Sequence, residues 1–129
     1  VGSQLKGSDI GRADRLRQAL FHRVREFFQH YDAFLLPVSQ VSPFDANLEY
    51  PQTVEGVEMK TYLDWMKSCY YVTATGSPAL SVPGGFTTEG LPFGLQIVGP
   101  HRKDFDVLRI GHAYEQVTNY GQKRPSVID

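Results

Sequence analysis

Residues 75–99 read TGSPALSVPGGFTTEGLPFGLQIVG, and this stretch decides the fold. Two runs within it, 79–82 and 93–98, are rich in the apolar residues that strands prefer. Residues 87–90, Thr-Thr-Glu-Gly, lie between them and have the composition of a hairpin connection. The glycine pair 84–85 fits neither a dinucleotide-binding nor a phosphate-binding motif and predicts a turn or bulge. We therefore predict two antiparallel strands joined by a short turn.

A helix is predicted immediately before this hairpin. Thr61 and Asp64, three positions apart, have the pattern of a capping box, which marks a helix start. Apolar residues then follow at helical spacing until Gly76 and Pro78, which a helix cannot continue through. The sequence predicts about three helical turns between these signals.

Two further helices flank this central region. The first begins near Ser8, as its N-cap, and its apolar residues recur every three or four positions up to Tyr31, which predicts one buried face. The last has Asp104 as its cap and ends near Gly121, with Pro125 beyond.

Residues 33–38, Ala-Phe-Leu-Leu-Pro-Val, form a short run without polar alternation. Such a run predicts a strand covered on both faces, as in parallel sheets packed by helices. Residues 39–58 contain two prolines, one glycine and little periodicity, and we interpret them as a loop over a site. Three strands between three helices make a thin α/β sheet, so the first strand is expected to need neighbours that this chain does not supply.

Composition excludes several classes of protein. The 129 residues carry 13 Lys and Arg against 14 Asp and Glu, so no net field attracts nucleic acid or an anionic membrane. No apolar run reaches the length of a membrane span. A single cysteine, Cys69, favours a reducing compartment, and we predict a cytoplasmic protein. We predict one domain over 1–129 with a linker at 1–8; because residue 1 is Val, the chain is expected either to begin inside a longer protein or to carry a trimmed tag.

The motifs contain no catalytic machinery. The four histidines show no spacing typical of metal ligands, and no Gly-x-Ser-x-Gly elbow occurs. Ser77 is followed by Pro78, which has no N–H for an oxyanion hole, and Cys69 lies among bulky helical neighbours that favour a buried thiol. We assign no catalytic residue and predict no metal and no cofactor.

Three segments in order resemble the C-terminal part of amidase signature enzymes. They are Tyr31–Val38, with Val38 where the family commonly has Thr; Thr75–Phe86, similar to G-x-P-A-x-S-x-P; and Gly90–Gly99, similar to G-L-P-x-G-x-Q-x-x-G. The resemblance covers nearly the whole chain. It implies the C-terminal portion of an α/β/α sandwich with a large mixed sheet between helical layers.

The family's chemistry implies hydrolysis of a carboxamide by a Ser, cis-Ser, Lys triad, with glycine-rich backbone as the oxyanion hole. No residue here matches that triad, so the resemblance places it upstream of this chain. Some relatives have a substrate-contacting aspartate in the helix before the G-x-P-A segment; Asp64 is nearby but offset.

The resemblance also implies that the loop after the first strand and the end of the second helix border an acyl pocket. Aromatic walls and polar groups near this place suit a small-molecule amide. The predicted substrate-binding residues are Gln40, Trp65, Tyr71, Thr73 and Thr75.

Three readings of function remain open. The first is the C-terminal portion of an amidase, inactive alone, whose partners are the remaining amidase segment and, through exposed sheet edges, another copy of the chain. The second is a non-catalytic interaction or scaffold module with the same fold. The third is a self-sufficient hydrolase that uses Ser77 or Cys69 with a histidine.

Overall fold

A computed structural model describes residues 2–123, and the hairpin predicted from residues 75–99 forms the centre of its sheet. In chain order the elements are α1 (Gly7–Phe27), β1 (Phe34–Pro37), β2 (Thr53–Val54), β3 (Val57–Glu58), α2 (Tyr62–Trp65), α3 (Lys67–Thr75), β4 (Ala79–Phe86), β5 (Pro92–Val98) and α4 (Asp104–Thr118), with short 3₁₀ helices at Gly2–Gln4 and Tyr120–Gln122.

The hairpin prediction is confirmed. β4 pairs antiparallel with β5 from Ala79 opposite Val98 to Phe86 opposite Pro92. The turn is closed by the Thr87 N–H, which donates to the Leu91 carbonyl at 2.8 Å. One extra residue between Pro83 and Gly85 makes a bulge, as the glycine pair predicts.

The first strand corrects one expectation. β1 lies at the edge of the sheet in the order β1-β5-β4, and it pairs antiparallel with β5. It is not covered on both faces by the described residues, because Phe34 is 46% and Leu35 54% exposed. The lack of polar alternation indicates that both faces of the strand are apolar; it carries no information about strand direction, which the neighbouring strand decides.

α4 covers one face of the sheet. Val107 of α4 is buried against Val82 and Ile97, and Ile97 is 1% exposed. The opposite face carries Leu36 and Val98, which line a groove with residues of α1 and α3. Helices therefore lie on both sides of the sheet, and the predicted α/β class is confirmed; the three strands described here are antiparallel throughout.

The predicted buried face of α1 is not buried within the described part of the chain. Ile10 is 63% and Leu16 61% exposed, and only the C-terminal half of the helix borders the groove with α3. The helix begins at Gly7 rather than after Ser8, with the Lys6 N–H donating to Asp9 Oδ2 at 2.9 Å, so it starts inside the predicted linker. Periodicity defines the apolar stripe, but the stripe is buried only where another element lies against it.

The other boundaries follow local signals with small differences. The predicted helix at 61–75 begins with the expected capping box but is interrupted at Met66, so it forms α2 and α3; α3 ends at Gly76 in the left-handed conformation. β2 and β3 form a small ribbon inside the predicted loop. α4 has Lys103 rather than Asp104 at its N-cap, and it ends at Thr118, with Asn119 as its C-cap, rather than near Gly121. Pro125 lies outside the described residues.

The close contact between α4 and β4 gives a test by substitution. A Cβ at Gly111 would collide with the Leu80 side chain and lie 3.5 Å from Val82 Cγ1. We expect Gly111→Ala to lower the free energy of unfolding by about 1–3 kcal/mol because it overpacks a close contact. The matched control is Gly11→Ala in α1, where the nearest atom is Arg15 Nη1 at 3.5 Å. This change should raise stability by about 0.5–1 kcal/mol. Urea unfolding followed by circular dichroism measures the stability of both variants. If Gly111→Ala stabilised the protein as much as Gly11→Ala does, the close contact between α4 and β4 would be contradicted.

Candidate functional site

Two of the predicted site residues, Gln40 and Trp65, line the same cavity. This cavity, the Trp65 pocket, has a volume of about 650 Å³ and lies between residues 37–44, Trp65, the β4–β5 turn at residues 87 and 88, and the start of β5 at residues 92–94. The Gln40 side chain reaches towards α2, where its Nε2 donates to the Asp64 carbonyl at 3.5 Å. The contact holds the loop after β1 against the helix that carries Trp65.

Trp65 is held by aromatic neighbours. Its ring meets Phe44 edge-to-face at 5.4 Å between centroids and Tyr62 at 5.8 Å. Its indole Nε1 is buried and has no hydrogen-bond partner among the residues that the structure describes. Buried indole N–H groups are ordinarily paired, so this donor is an exception among the described residues.

Tyr71 and Thr75 line a different cavity, the α1–α3 groove. This open groove of about 760 Å³ is almost entirely apolar and is bordered by Phe27, Leu36 and Val98 among others. Tyr71 is 57% exposed. Thr73 is exposed and lines none of the described cavities. Of the five predicted residues, two therefore line the Trp65 pocket, two line the α1–α3 groove, and Thr73 lies apart from both.

Thr75 also borders a third cavity, of about 430 Å³, together with Ser77 and His101. Its Oγ1 donates to the Val72 carbonyl at 2.6 Å and accepts from the Ser77 N–H at 3.2 Å. These bonds make Thr75 a capping residue of α3, which gives it a structural role in addition to the predicted one.

The candidate nucleophiles have other partners. The Cys69 thiol donates to the Val38 carbonyl at 2.9 Å and joins α3 to the loop after β1. The His101 Nδ1 is 2.8 Å from the Gly76 carbonyl at the end of α3. Ser77 lines the same cavity as His101, yet within residues 2–123 no hydrogen bond joins the two side chains. This arrangement gives no support to the self-sufficient hydrolase reading.

Asp64 stabilises the start of α2. Its carboxylate accepts from the Thr61 N–H and the Thr61 hydroxyl, each at 2.9 Å, and pairs with Lys67 Nζ at 3.0 Å. The hydrogen bond from Lys67, with that from Thr61, holds the pKa of Asp64 below its ordinary 3.8. The same pair raises the pKa of Lys67. Asp64 is thus engaged within its own helix.

Sequence reasoning missed several residues of the Trp65 pocket. Phe44 and Phe93 line it and are 39% and 45% exposed. Phe44 follows Pro43 in the segment interpreted as a loop over a site, and an aromatic residue in such a loop was the available signal. Phe93 lies in a run whose pattern predicts only a strand.

The family follows from comparison of sequences. The sequence model of the family described as Amidase matches residues 4–108, and the chain belongs to this family. It is similar to an acylamidase of Rhodococcus erythropolis, with 35% identity over 124 residues that cover 95% of this chain and 26% of the acylamidase. It is also similar to a glutamyl-tRNA(Gln) amidotransferase subunit of Brevibacillus brevis, with 34% identity over 91% of this chain and 23% of that protein.

Solved structures agree with this placement. A bacterial aryl acylamidase of the amidase signature family superposes with a TM-score of 0.77 and 26% identity, over 95% of this chain and 27% of that one. A glutamyl-tRNA(Gln) amidotransferase subunit of Thermotoga maritima superposes with a TM-score of 0.65 and 30% identity, over 83% and 22%. The chain therefore spans about a quarter of the length of these relatives.

Membrane spans and metal clusters are both missing from residues 2–123. No helix there combines the length and apolar character needed to cross a bilayer. Within the same residues, no three His, Cys, Asp or Glu side chains are grouped so as to hold a metal ion.

The ion pair of Asp64 gives a pH-dependent prediction. Since its pKa in the folded state is below 3.8, the carboxylate stabilises the fold above that value, and this stabilisation is lost as the pH falls through the lowered pKa. We expect Asp64→Asn to be less stable than the parent at neutral pH, and the difference to shrink below about pH 3.8. Urea unfolding from neutral pH to about pH 2.5 measures it.

The partner residue supplies the control. Lys67→Gln removes the contact that lowers the pKa of Asp64 most, while it leaves the Thr61 hydrogen bonds. When both proteins carry Lys67→Gln, the stability difference caused by Asp64→Asn should therefore depend less on pH. A difference between the parent and Asp64→Asn that stays constant over the whole pH range would contradict the assignment.

Proposed function

We propose that this chain forms the C-terminal part of an enzyme that hydrolyses a carboxamide C–N bond through an acyl-enzyme. The observation that carries the proposal is its 35% identity with an acylamidase over 95% of its own length and 26% of that enzyme. The Ser, cis-Ser, Lys triad belongs, in this proposal, to a segment upstream of the chain. The substrate is a small-molecule amide, the reaction needs no metal or cofactor, and the compartment is the cytoplasm.

The chemistry proposed for the whole enzyme has two steps. The triad serine attacks the amide carbonyl carbon, and the tetrahedral intermediate expels the amine, which takes up a proton handled by the bridging serine and the lysine. Water then hydrolyses the acyl-serine ester and releases the carboxylic acid. Backbone N–H groups stabilise the oxyanion in both steps.

In this proposal the chain contributes walls and scaffold. Gln40 and Trp65 contact substrate from the Trp65 pocket, and Tyr71 and Thr75 do so from the α1–α3 groove; Thr73 is retained as a further candidate on the outer face of α3. The support is that four of the five residues line cavities, with aromatic walls and polar groups of the kind that bind small molecules.

The exposed apolar surface supports the amidase reading over the scaffold-module reading. α1 and the sheet edge present large apolar side chains: Ile10 at 63%, Leu16 at 61% and Leu35 at 54% exposed. Large apolar side chains exposed on an edge strand and along a helix usually mark surface that another polypeptide covers. A self-contained module would be expected to carry polar residues there. We propose that this apolar surface is covered by the further amidase segment or by a second copy of the chain paired at the β1 edge.

Covalent labelling tests where the nucleophile lies. We expect the purified chain, with its helical circular dichroism intact, to form no adduct with a fluorophosphonate probe, because no serine among residues 4–123 is hydrogen-bonded to a side-chain base. Intact-protein mass spectrometry measures the outcome, with the Rhodococcus erythropolis acylamidase as comparison. A stoichiometric adduct on Ser77 or any other serine would place the catalytic centre inside this chain.

A chimera tests the proposed activity directly. We expect the acylamidase of Rhodococcus erythropolis, with its matching quarter replaced by this chain, to hydrolyse an amide that the unaltered enzyme hydrolyses. Within the chimera, Gln40→Ala should lower kcat/KM roughly tenfold, the loss of about one hydrogen bond in the transition state. Gln18→Ala is the matched control, because Gln18 bonds only Asp14 on the exposed side of α1. A folded chimera without activity would contradict the proposed function.

A further inference from the structure

The cavity at Ser77 and His101 lies at the end of the sheet opposite to the Trp65 pocket. This cavity, the Arg25 cavity, has a volume of about 430 Å³ and lies between the C-terminal end of α1, the α3–β4 connection and the β5–α4 connection. The start of β5, with Gly94, lines the Trp65 pocket, whereas Pro100, just beyond the end of β5, lines the Arg25 cavity. Extended chain of this length separates the two cavities by about 20 Å. The two are therefore distinct places on the molecule.

Arg25 gives the cavity a positive charge that no described carboxylate balances. No Asp or Glu within residues 2–123 lines the cavity. The ion pairs described for the same residues do not include Arg25. A guanidinium presents a planar fork of N–H donors that matches the two oxygens of a carboxylate. The cavity thus offers a donor set for a small anion.

The backbone carbonyls at the helix ends beside the cavity are engaged within the protein. The C-terminus of a helix is its negative end and by itself favours a cation. At the end of α1 the Val24 carbonyl accepts from the Phe28 N–H at 3.1 Å. At the end of α3 the Gly76 carbonyl lies 2.8 Å from His101 Nδ1, which carries the proton because a carbonyl only accepts. The donors of Arg25 therefore remain for a ligand.

Ser77 adds a neutral donor to the same cavity. Its backbone N–H donates to Thr75 Oγ1 at 3.2 Å, which fixes the position of the residue at the end of α3. Its hydroxyl has no hydrogen bond described within residues 2–123 and can donate to a carboxylate oxygen.

The walls of the cavity determine what the rest of the anion is. Phe21, Val24 and Phe28 of the α1 region supply apolar surface, and the Phe21 ring meets the His101 ring edge-to-face at 5.3 Å between centroids. Because Arg25 is exposed, its pairing with an anion is weak on its own in water. Burial of an apolar group adds to that pairing. The lining therefore favours an anion with an apolar body over a fully hydrated one.

From these features we propose that the Arg25 cavity is a second ligand site, which binds a small monocarboxylate with a compact apolar body. The carboxylate pairs with Arg25 and accepts from the Ser77 hydroxyl, and the apolar part lies against the rings of the cavity. The Trp65 pocket does not favour such a ligand, because its described lining contains no charged side chain. The inference goes beyond the proposed function, since it concerns binding at a different cavity and no step of hydrolysis.

Titration of the purified 129-residue chain with benzoate tests the site. The comparison ligands are acetate, which keeps the charge without the ring, and benzyl alcohol, which keeps the ring without the charge. NMR follows the ring C–H signals of the four histidines, and His101→Gln identifies the signal of His101. We expect a saturable shift of this signal with benzoate and binding at least about tenfold weaker for the other two. Ligand-detected saturation-transfer NMR provides a second readout.

Two variants locate the site. Arg25→Gln should weaken benzoate binding roughly tenfold, because it removes the ionic partner and keeps a polar side chain. Ser77→Ala should weaken it roughly threefold, the loss of one hydrogen bond. Arg12→Gln is the matched control, because it makes the same change of charge on an exposed position of α1 about 20 Å away, and it should leave binding unchanged. Circular dichroism confirms that each variant is folded.

Three results would overturn the proposal. They are the absence of saturable benzoate binding in both NMR experiments, binding of acetate or benzyl alcohol as tight as that of benzoate, and equal weakening by Arg12→Gln and Arg25→Gln. None of these measurements involves turnover, so the proposed hydrolysis stands or fails separately.

Discussion

The position of β5 between β1 and β4 is the constraint on which the rest of the described structure depends. β5 is the strand of this sheet that is hydrogen-bonded on both sides, and its Ile97 is 1% exposed. α4 can cover this centre closely because Gly99 and Gly111 leave room for Val107 and Leu80. A small core of this kind tolerates little change in volume, so the hairpin and α4 fix each other's position.

The same hairpin builds the Trp65 pocket. Gly94 lets the chain after β1 come close, since a Cβ there would lie 2.8 Å from Val38 Cγ2, and the Val38 N–H donates to the Gly94 carbonyl at 3.0 Å. Val38 in turn accepts from the Cys69 thiol, which holds α3 against the same loop. A cysteine that packs and donates in this way is a structural residue. The pocket is thus the meeting point of three segments that are far apart in sequence.

The described residues form two cavities of different chemical character. The α1–α3 groove continues the exposed stripe of α1, and its accessible surface is mainly apolar, with the polar groups of Tyr71 and Thr75 at its border. The Trp65 pocket combines aromatic rings with neutral polar side chains such as Ser39, Gln40 and Thr87, a composition that supports the substrate contacts proposed for it. The relatives, about four times as long, have further polypeptide with which to cover the groove.

The sequence by itself determined the hairpin, its bulge, the capping box at Thr61 and the helix end at Gly76, because each depends on turn chemistry or hydrogen bonds within a few residues. It also found Gln40 and Trp65 as site candidates, through resemblance to a family. Only the tertiary structure decided the antiparallel pairing of β1, the exposure of the α1 stripe, the break at Met66 and the meeting of Phe44 with Trp65. The physical reason is that strand direction, burial and cavity walls are set by contacts between residues distant in sequence, which local periodicity does not contain.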